Sequence, residues 1–181
     1  MRIIQDDLSS DATLALIRAH VTDLAGHSPE ESCHALDIDA LRAPGVTFWS
    51  AWEGDTIAGC GALKALDETH GEIRSMRTAE THLRRGVAAK LLDHIIREAQ
   101  SRGFKRLSLE TGPHDIFTPA RSLYARFGFE TCPPFGDYRE DPYSVFMTKS
   151  LDGPDYSAPS KSSCRQAVSY THLTLPTICS V

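Results

Sequence analysis

The sequence predicts one α+β domain. Its expected architecture is a mixed, mostly antiparallel twisted sheet of about six to seven strands, flanked by about four helices, with a β-α-β crossover at its centre. Three observations carry this reading. Ala88, Leu91, Leu92, Ile95, Ile96 and Ala99 recur with a period near 3.6 and mark an amphipathic helix. Strand-like runs flank it: "GEIRSMRT", a strand from Glu72 to Thr78, and "RLSLET", from Arg106 to Thr111. Upstream, "VTFWSAW" and "DTIAGCGALKAL" surround Glu53-Gly54-Asp55 and read as a hairpin.

The remaining elements follow in chain order. "MRIIQ" is a short opening strand, and Ser10 can cap a helix carrying Leu14, Ile17, Val21 and Leu24 at helical spacing. A second helix is expected over "PEESCHALDIDALR", with Pro29 at its first position and the Pro44-Gly45 pair as its stop. Gly103 ends the crossover helix in the usual C-cap position. Thr118-Pro119 starts a shorter helix with Ala120, Leu123, Tyr124 and Phe127, closed by Gly128. "FETCPPF" and "YSVFMTKSL" finish the sheet. The predicted order is β, α, α, β, β, β, α, β, α, β, β, over a domain of residues 1–151. Residues 152–181 are rich in Ser, Pro and Asp without apolar periodicity, and are expected to be a disordered tail. The final "VSYTHLTLPTICSV" reads as non-native read-through.

Composition excludes several classes. A net charge of −5 argues against nucleic-acid binding and mildly favours a cationic partner. No apolar run is long enough for a membrane span, and the N-terminus lacks a signal-peptide core. The five cysteines are odd in number, scattered, and without a CxxC pair. Neither disulfides nor a metal site is expected, and a reducing cytoplasm is the predicted location.

The stretch "HLRRGVAAKLL" carries the first functional signal. A strand, a short loop, then Arg84-Arg85-Gly86-Val87-Ala88-Ala89 opening a helix makes an anion site. The first helical N–H groups lack internal partners, and the helix dipole adds about half a positive charge there. Arg84 and Arg85 add donors at the same edge. A P-loop is excluded because no Gly-Lys-Ser/Thr follows, and a dinucleotide fold because no G-x-G-x-x-G appears.

With these residues in view, the chain resembles the GNAT superfamily of acetyl-CoA-dependent N-acetyltransferases, as a small bacterial single-domain member. The family's R/Q-x-x-G-x-G/A signature falls on Leu83-Arg84-Arg85-Gly86-Val87-Ala88, with Leu83 in place of the first Arg or Gln. The family's A-x-x-L-Y-x-x-x-G-F block matches Ala120 through Phe129, while Phe117 stands where an Asn is frequent. The resemblance covers Met1 to about Leu151. It implies a GNAT-like sheet whose central crossover binds acyl-CoA, with acetyl-CoA as co-substrate and no metal.

The implied reaction is direct attack of an amine on the acetyl thioester. By resemblance Tyr124 donates the proton to the departing sulfur, a phenol near pKa 10 serving a thiol near 8.5. A core tyrosine on an apolar helix face is the plain alternative. By the same resemblance, cofactor contacts fall on Met76 and Thr78 and on the loop Arg84, Arg85, Gly86, Val87, Ala88 and Ala89. An amine with pKa near 10 costs about 4 kcal/mol to neutralise at pH 7, so a base would help. Glu110 and Glu72 are the candidates, each equally readable as a surface carboxylate. His27 and His34, in the segment where the family shapes its acceptor pocket, are substrate candidates, and His82 could titrate usefully. "GDYREDPYS" reads more simply as an acidic turn than as an acceptor wall. The expected partner is a small-molecule amine, with no nucleic acid and no membrane; assembly is left open, with a homodimer among the possibilities. A protein N-terminus or lysine as acceptor is the second reading, and a non-catalytic acyl-CoA-binding sensor the third.

Overall fold

The computed structural model describes residues 1–25 and 38–152. Residues 29–37 of the expected second helix, His27, His34 and the tail from 153 onward lie outside them. The described chain folds as β1 (Arg2–Gln5), α1 (Asp11–Ala25), α2 (Ile38–Leu41), β2 (Val46–Glu53), β3 (Thr56–Ala65), β4 (His70–Thr78), α3 (Val87–Ser101), β5 (Arg106–Thr111), α4 (Thr118–Arg126), β6 (Glu130–Cys132) and β7 (Val145–Ser150). This is the predicted order. Among the described residues the sheet has seven strands in the order β1-β2-β3-β4-β5-β7-β6. Every pairing is antiparallel except the parallel β4–β5 pair, which the α3 crossover requires.

Local chemistry explains most boundaries. The β2–β3 turn needs only Gly54 and Asp55, since Glu53 already pairs with Thr56. Gly103 and Gly128 follow α3 and α4 with φ of 83°, the left-handed closure expected of them. One expectation is corrected at β6. "FETCPPF" was read as strand throughout, but pairing stops at Cys132 because Pro133 and Pro134 have no N–H to give a ladder. The segment then leaves the sheet as a loop, with consequences for the site below.

The two faces of the sheet are packed differently. One carries α3 and α4 over a core that includes Leu63, Ile73, Leu91, Leu92, Ile95, Leu107, Leu109 and Met147. The other carries α1 and α2 over Leu8, Leu16, Ile17, Leu41, Phe48, Cys60 and Ala62. The buried stripe of α3 starts at Val87 rather than Ala88, which is only half-buried. Val87 packs over Gly59, where an added Cβ would lie 2.8 Å from its methyl. Leu92 is completely enclosed. Leu92→Ala is expected to lower unfolding free energy by about 2–5 kcal/mol, read as a fall in urea midpoint at unchanged m-value.

Candidate active site

The site begins where the sheet opens. β4 and β5 pair only from His70↔Arg106 to Ile73↔Leu109. Beyond Ile73 both strands continue, to Thr78 and Thr111, but no longer pair. A bulge accompanies the parting: Cys60 faces Arg77 and Ala62 faces Arg74, so Ser75 and Met76 together oppose Gly61. Ser75 takes φ of 58°, and the Met76 sulfur lies 2.6 Å from where a Gly61 Cβ would be. With a larger residue at 61, the Met76 and Ile95 side-chain ends would have to shift. Bulges bend the strand that carries them. Among the described residues, the resulting fork leaves the β5-facing edge of β4, with Met76 and Thr78, without a strand partner.

At the head of the fork stands the start of α3. Arg84 and Gly86 both adopt left-handed backbone, with φ of 62° and 77°. An added Cβ at Gly86 would meet no atom within 4 Å, so this glycine serves the turn's conformation rather than packing inside the protein. No side chain caps α3 among the described residues, and its first turn has no acid. The N–H groups of Val87, Ala88 and Ala89 therefore present the dipole's positive end without a side-chain acceptor, a geometry that fits a diphosphate. Arg85 lies 3.6 Å from the Glu53 carboxylate. His82, buried, bridges the same Glu53 oxygen at 3.2 Å and Thr81 Oγ1 at 2.9 Å, so it braces the loop from beneath.

Tyr124 lies in the core on the α3 and α4 face of the sheet. Arg121 stitches the segment before α4 by donating to the carbonyls of Gly112 (2.6 Å) and His114 (3.1 Å) and to Thr118 Oγ1 (2.9 Å). Phe117 folds its ring onto Gly112, at a distance a side chain at 112 would forbid. One turn later Tyr124 is buried, edge-on to Phe129 at 5.9 Å between centroids. Burial, and secondarily the Glu110 charge, push its phenol well above the ordinary value of 10.

The face of the fork opposite α3 and α4 carries the carboxylates. Glu72 is only 2% exposed; it accepts a 2.6 Å hydrogen bond from the Tyr138 hydroxyl and lies 3.5 Å from Arg74 Nε. Glu110 is half-buried and accepts from Ser144 Oγ at 2.8 Å. Tyr138 and Ser144 both come from the β6–β7 loop that the two prolines release from the sheet. Phe135 and Tyr138 anchor that loop on Phe146, with centroids 5.8 and 5.4 Å away. Burial, then the Glu72 charge and its hydrogen bond, raise the Tyr138 phenol strongly. Two phenols that resist ionisation, buried Tyr124 and half-buried Tyr138, bind their protons more tightly folded than unfolded. Stability from this source is complete below pH 10 and lost as pH rises beyond it. The alkaline arm of a thermal-melting profile is expected to flatten in a Tyr124→Phe/Tyr138→Phe double variant.

The arrangement, a helix start without a side-chain cap, a forked sheet and a buried phenol, has a sequence counterpart. The sequence model of the acetyltransferase (GNAT) family matches residues 14–129. The chain belongs to the GNAT family. As a GNAT acetyltransferase it is 58% identical over 151 residues to the "Uncharacterized N-acetyltransferase YsnE" of Bacillus subtilis (strain 168), covering 83% of this chain and all of that protein. It is 53% identical over 146 residues to the "Uncharacterized N-acetyltransferase YedL" of Escherichia coli (strain K12), covering 81% and 92%. A GNAT family acetyltransferase from Elizabethkingia anophelis, solved with acetyl-CoA bound, superposes with a TM-score of 0.62 over 83% of this chain and 97% of its own. At 22% identity that likeness concerns the fold.

Several GNAT features take an individual form here. Leu83, at the first signature position, is 57% exposed. Among the described residues no group of His, Cys, Asp and Glu could hold a metal ion, and no helix is long and apolar enough to cross a membrane. Cys60 and Cys132 are free thiols, with burial holding the Cys60 thiol up to about 12. Sequence reasoning does not single out Arg74 or Ser144. "GDYREDPYS" reads as an acidic turn more simply than as an acceptor wall, yet its tyrosine, Tyr138, reaches 66 residues back to Glu72. No local pattern signals such a bond.

Proposed function

We propose that this GNAT acetyltransferase moves the acetyl group of acetyl-CoA to the primary amine of a small molecule by direct attack. The observation that carries this reading is the fork between β4 and β5, with a helix start lacking a side-chain cap at one end and Glu110 at the point where the strands part. The amides of Val87 to Ala89, with Gly86, Arg84 and Arg85, would hold the pyrophosphate of the co-substrate. The β4 edge at Met76 and Thr78 would pair with its pantetheine arm, which carries amide groups suited to a strand edge.

Within that frame, Glu110 takes a proton from the acceptor ammonium and passes it to water. Glu110 suits this role better than Glu72 because it is half-buried, whereas Glu72 is sealed beneath Tyr138. Tyr124 keeps its proton because burial disfavours the phenolate. It therefore remains a donor toward the sulfur that departs, and the second proton lost by the nitrogen balances the one the sulfur gains. A cytoplasmic setting belongs to the same reading.

Calorimetry with coenzyme A, followed by thiol release with acetyl-CoA and a panel of free amines and peptides, tests the proposal. Micromolar binding and turnover of free amines are expected. Absence of thiol release with every acceptor, despite bound coenzyme A, would make the chain a sensor instead. Peptides turned over faster than every free amine would move the acceptor class to proteins.

A further inference from the structure

Given the reading above, in which the loop before α3 holds the diphosphate of coenzyme A, the shape of that loop has to be kept when no ligand is present. Arg84 takes left-handed backbone with φ of 62°, which a side chain makes costly, and Gly86 follows two residues later at 77°. Strained backbone of this kind persists only where surrounding structure fixes it. Here both ends of the loop rest on the β2–β3 hairpin. At the far end Val87 sits against Gly59 of β3. At the near end the Ala79 N–H donates to the Ala58 carbonyl at 2.9 Å, and the His82 N–H to the Ala79 carbonyl at 2.8 Å.

The His82 side chain completes the near anchor. It is only 7% exposed, and its Nε2 lies 3.2 Å from Oε2 of Glu53, the last residue of β2. Thr81 Oγ1 can donate to Nδ1 or accept from it, so Nε2 is left to carry its proton toward the carboxylate. Glu53 is 57% exposed, and its backbone is fixed at the hairpin end by pairing with Thr56. The same oxygen lies 3.6 Å from Arg85, also exposed, and a surface pair at that distance contributes little. The bond to the buried imidazole matters more, because without it a buried N–H would lose its acceptor. Yet Glu53 is also an anion beside an anion site, and by charge alone it would weaken diphosphate binding. Position and charge therefore predict opposite signs for its removal.

We propose that Glu53, acting through His82, is a positioning residue that pre-forms the diphosphate loop, and that its hydrogen bond outweighs its repulsion of the ligand. His82 is the second positioning residue, and neither side chain has to touch coenzyme A.

Calorimetry with coenzyme A and steady-state kinetics with acetyl-CoA test this on the full chain. Glu53→Ala removes both bond and charge at an exposed position, and is expected to weaken coenzyme A binding about tenfold. The loss should fall on KM for acetyl-CoA rather than on kcat. Glu53→Gln removes the charge but keeps an oxygen that can accept from Nε2, so it is expected to bind coenzyme A at least as tightly as the native chain. His82→Phe keeps a ring in the buried site and should match Glu53→Ala, with the double variant no worse than the weaker single. Native affinity or tighter binding in Glu53→Ala would overturn the inference while leaving the coenzyme A site standing. Equal weakening in Glu53→Ala and Glu53→Gln would overturn it too, since charge and not the bond would then be responsible. No coenzyme A binding by the native chain would overturn the reading of the loop itself, and the inference with it.

Discussion

Tyr124→Phe is expected to lower kcat by about 10²-fold or more, with coenzyme A affinity retained. The loss follows from the donor role proposed for the hydroxyl and from where the ring sits. Its ring packs in the core against Phe129, so phenylalanine preserves the packing and removes only the donor. Rapid-mix measurement of the chemical step, alongside calorimetry with coenzyme A, separates the two effects. Unchanged kcat would reduce Tyr124 to a core residue. The pH profile adds a second check. Burial and Glu110 hold the phenol protonated well past pH 10, so no alkaline fall in kcat from Tyr124 is expected up to that pH.

The second large effect belongs to Glu110. Glu110→Gln is expected to cut kcat/KM by about 10²-fold near pH 7, because the acceptor must then lose its proton to bulk water. The deficit should shrink as pH approaches the amine's own value near 10, where the neutral form is already abundant in solution. A deficit that stays constant across pH would point to lost binding instead. Glu72→Gln is the comparison. It removes the negative charge beside Arg74 while keeping an oxygen that can accept from Tyr138, so its expected effects are lower stability and a raised KM without that pH signature. The reverse outcome would exchange the roles of the two carboxylates.

How much was legible beforehand follows from the range of each interaction. The α3 stripe, the glycine closures of α3 and α4, and the Gly54-Asp55 turn are local features, written in consecutive residues. The loop before α3 was readable for the same reason, since a helix start and its flanking cations occupy a few adjacent positions. Val87 displaced Ala88 at the head of the buried stripe because Gly59, on another strand, made room for it. The break in β6 was local too. Pro133 and Pro134, which lack the N–H donors a ladder needs, mark it in consecutive residues.

Sequence alone therefore determined the element order, the crossover, the helix start without a side-chain cap and the tyrosine block that marks a GNAT acetyltransferase, since each depends on spacing along one short stretch. The tertiary structure decided where β4 leaves β5, that the β6–β7 loop folds back over the sheet, and that Tyr138 and Ser144 engage the two carboxylates. Those partners are 66 and 34 residues apart, and only the packed sheet brings them within hydrogen-bonding reach. Short-range periodicity carries no record of such meetings.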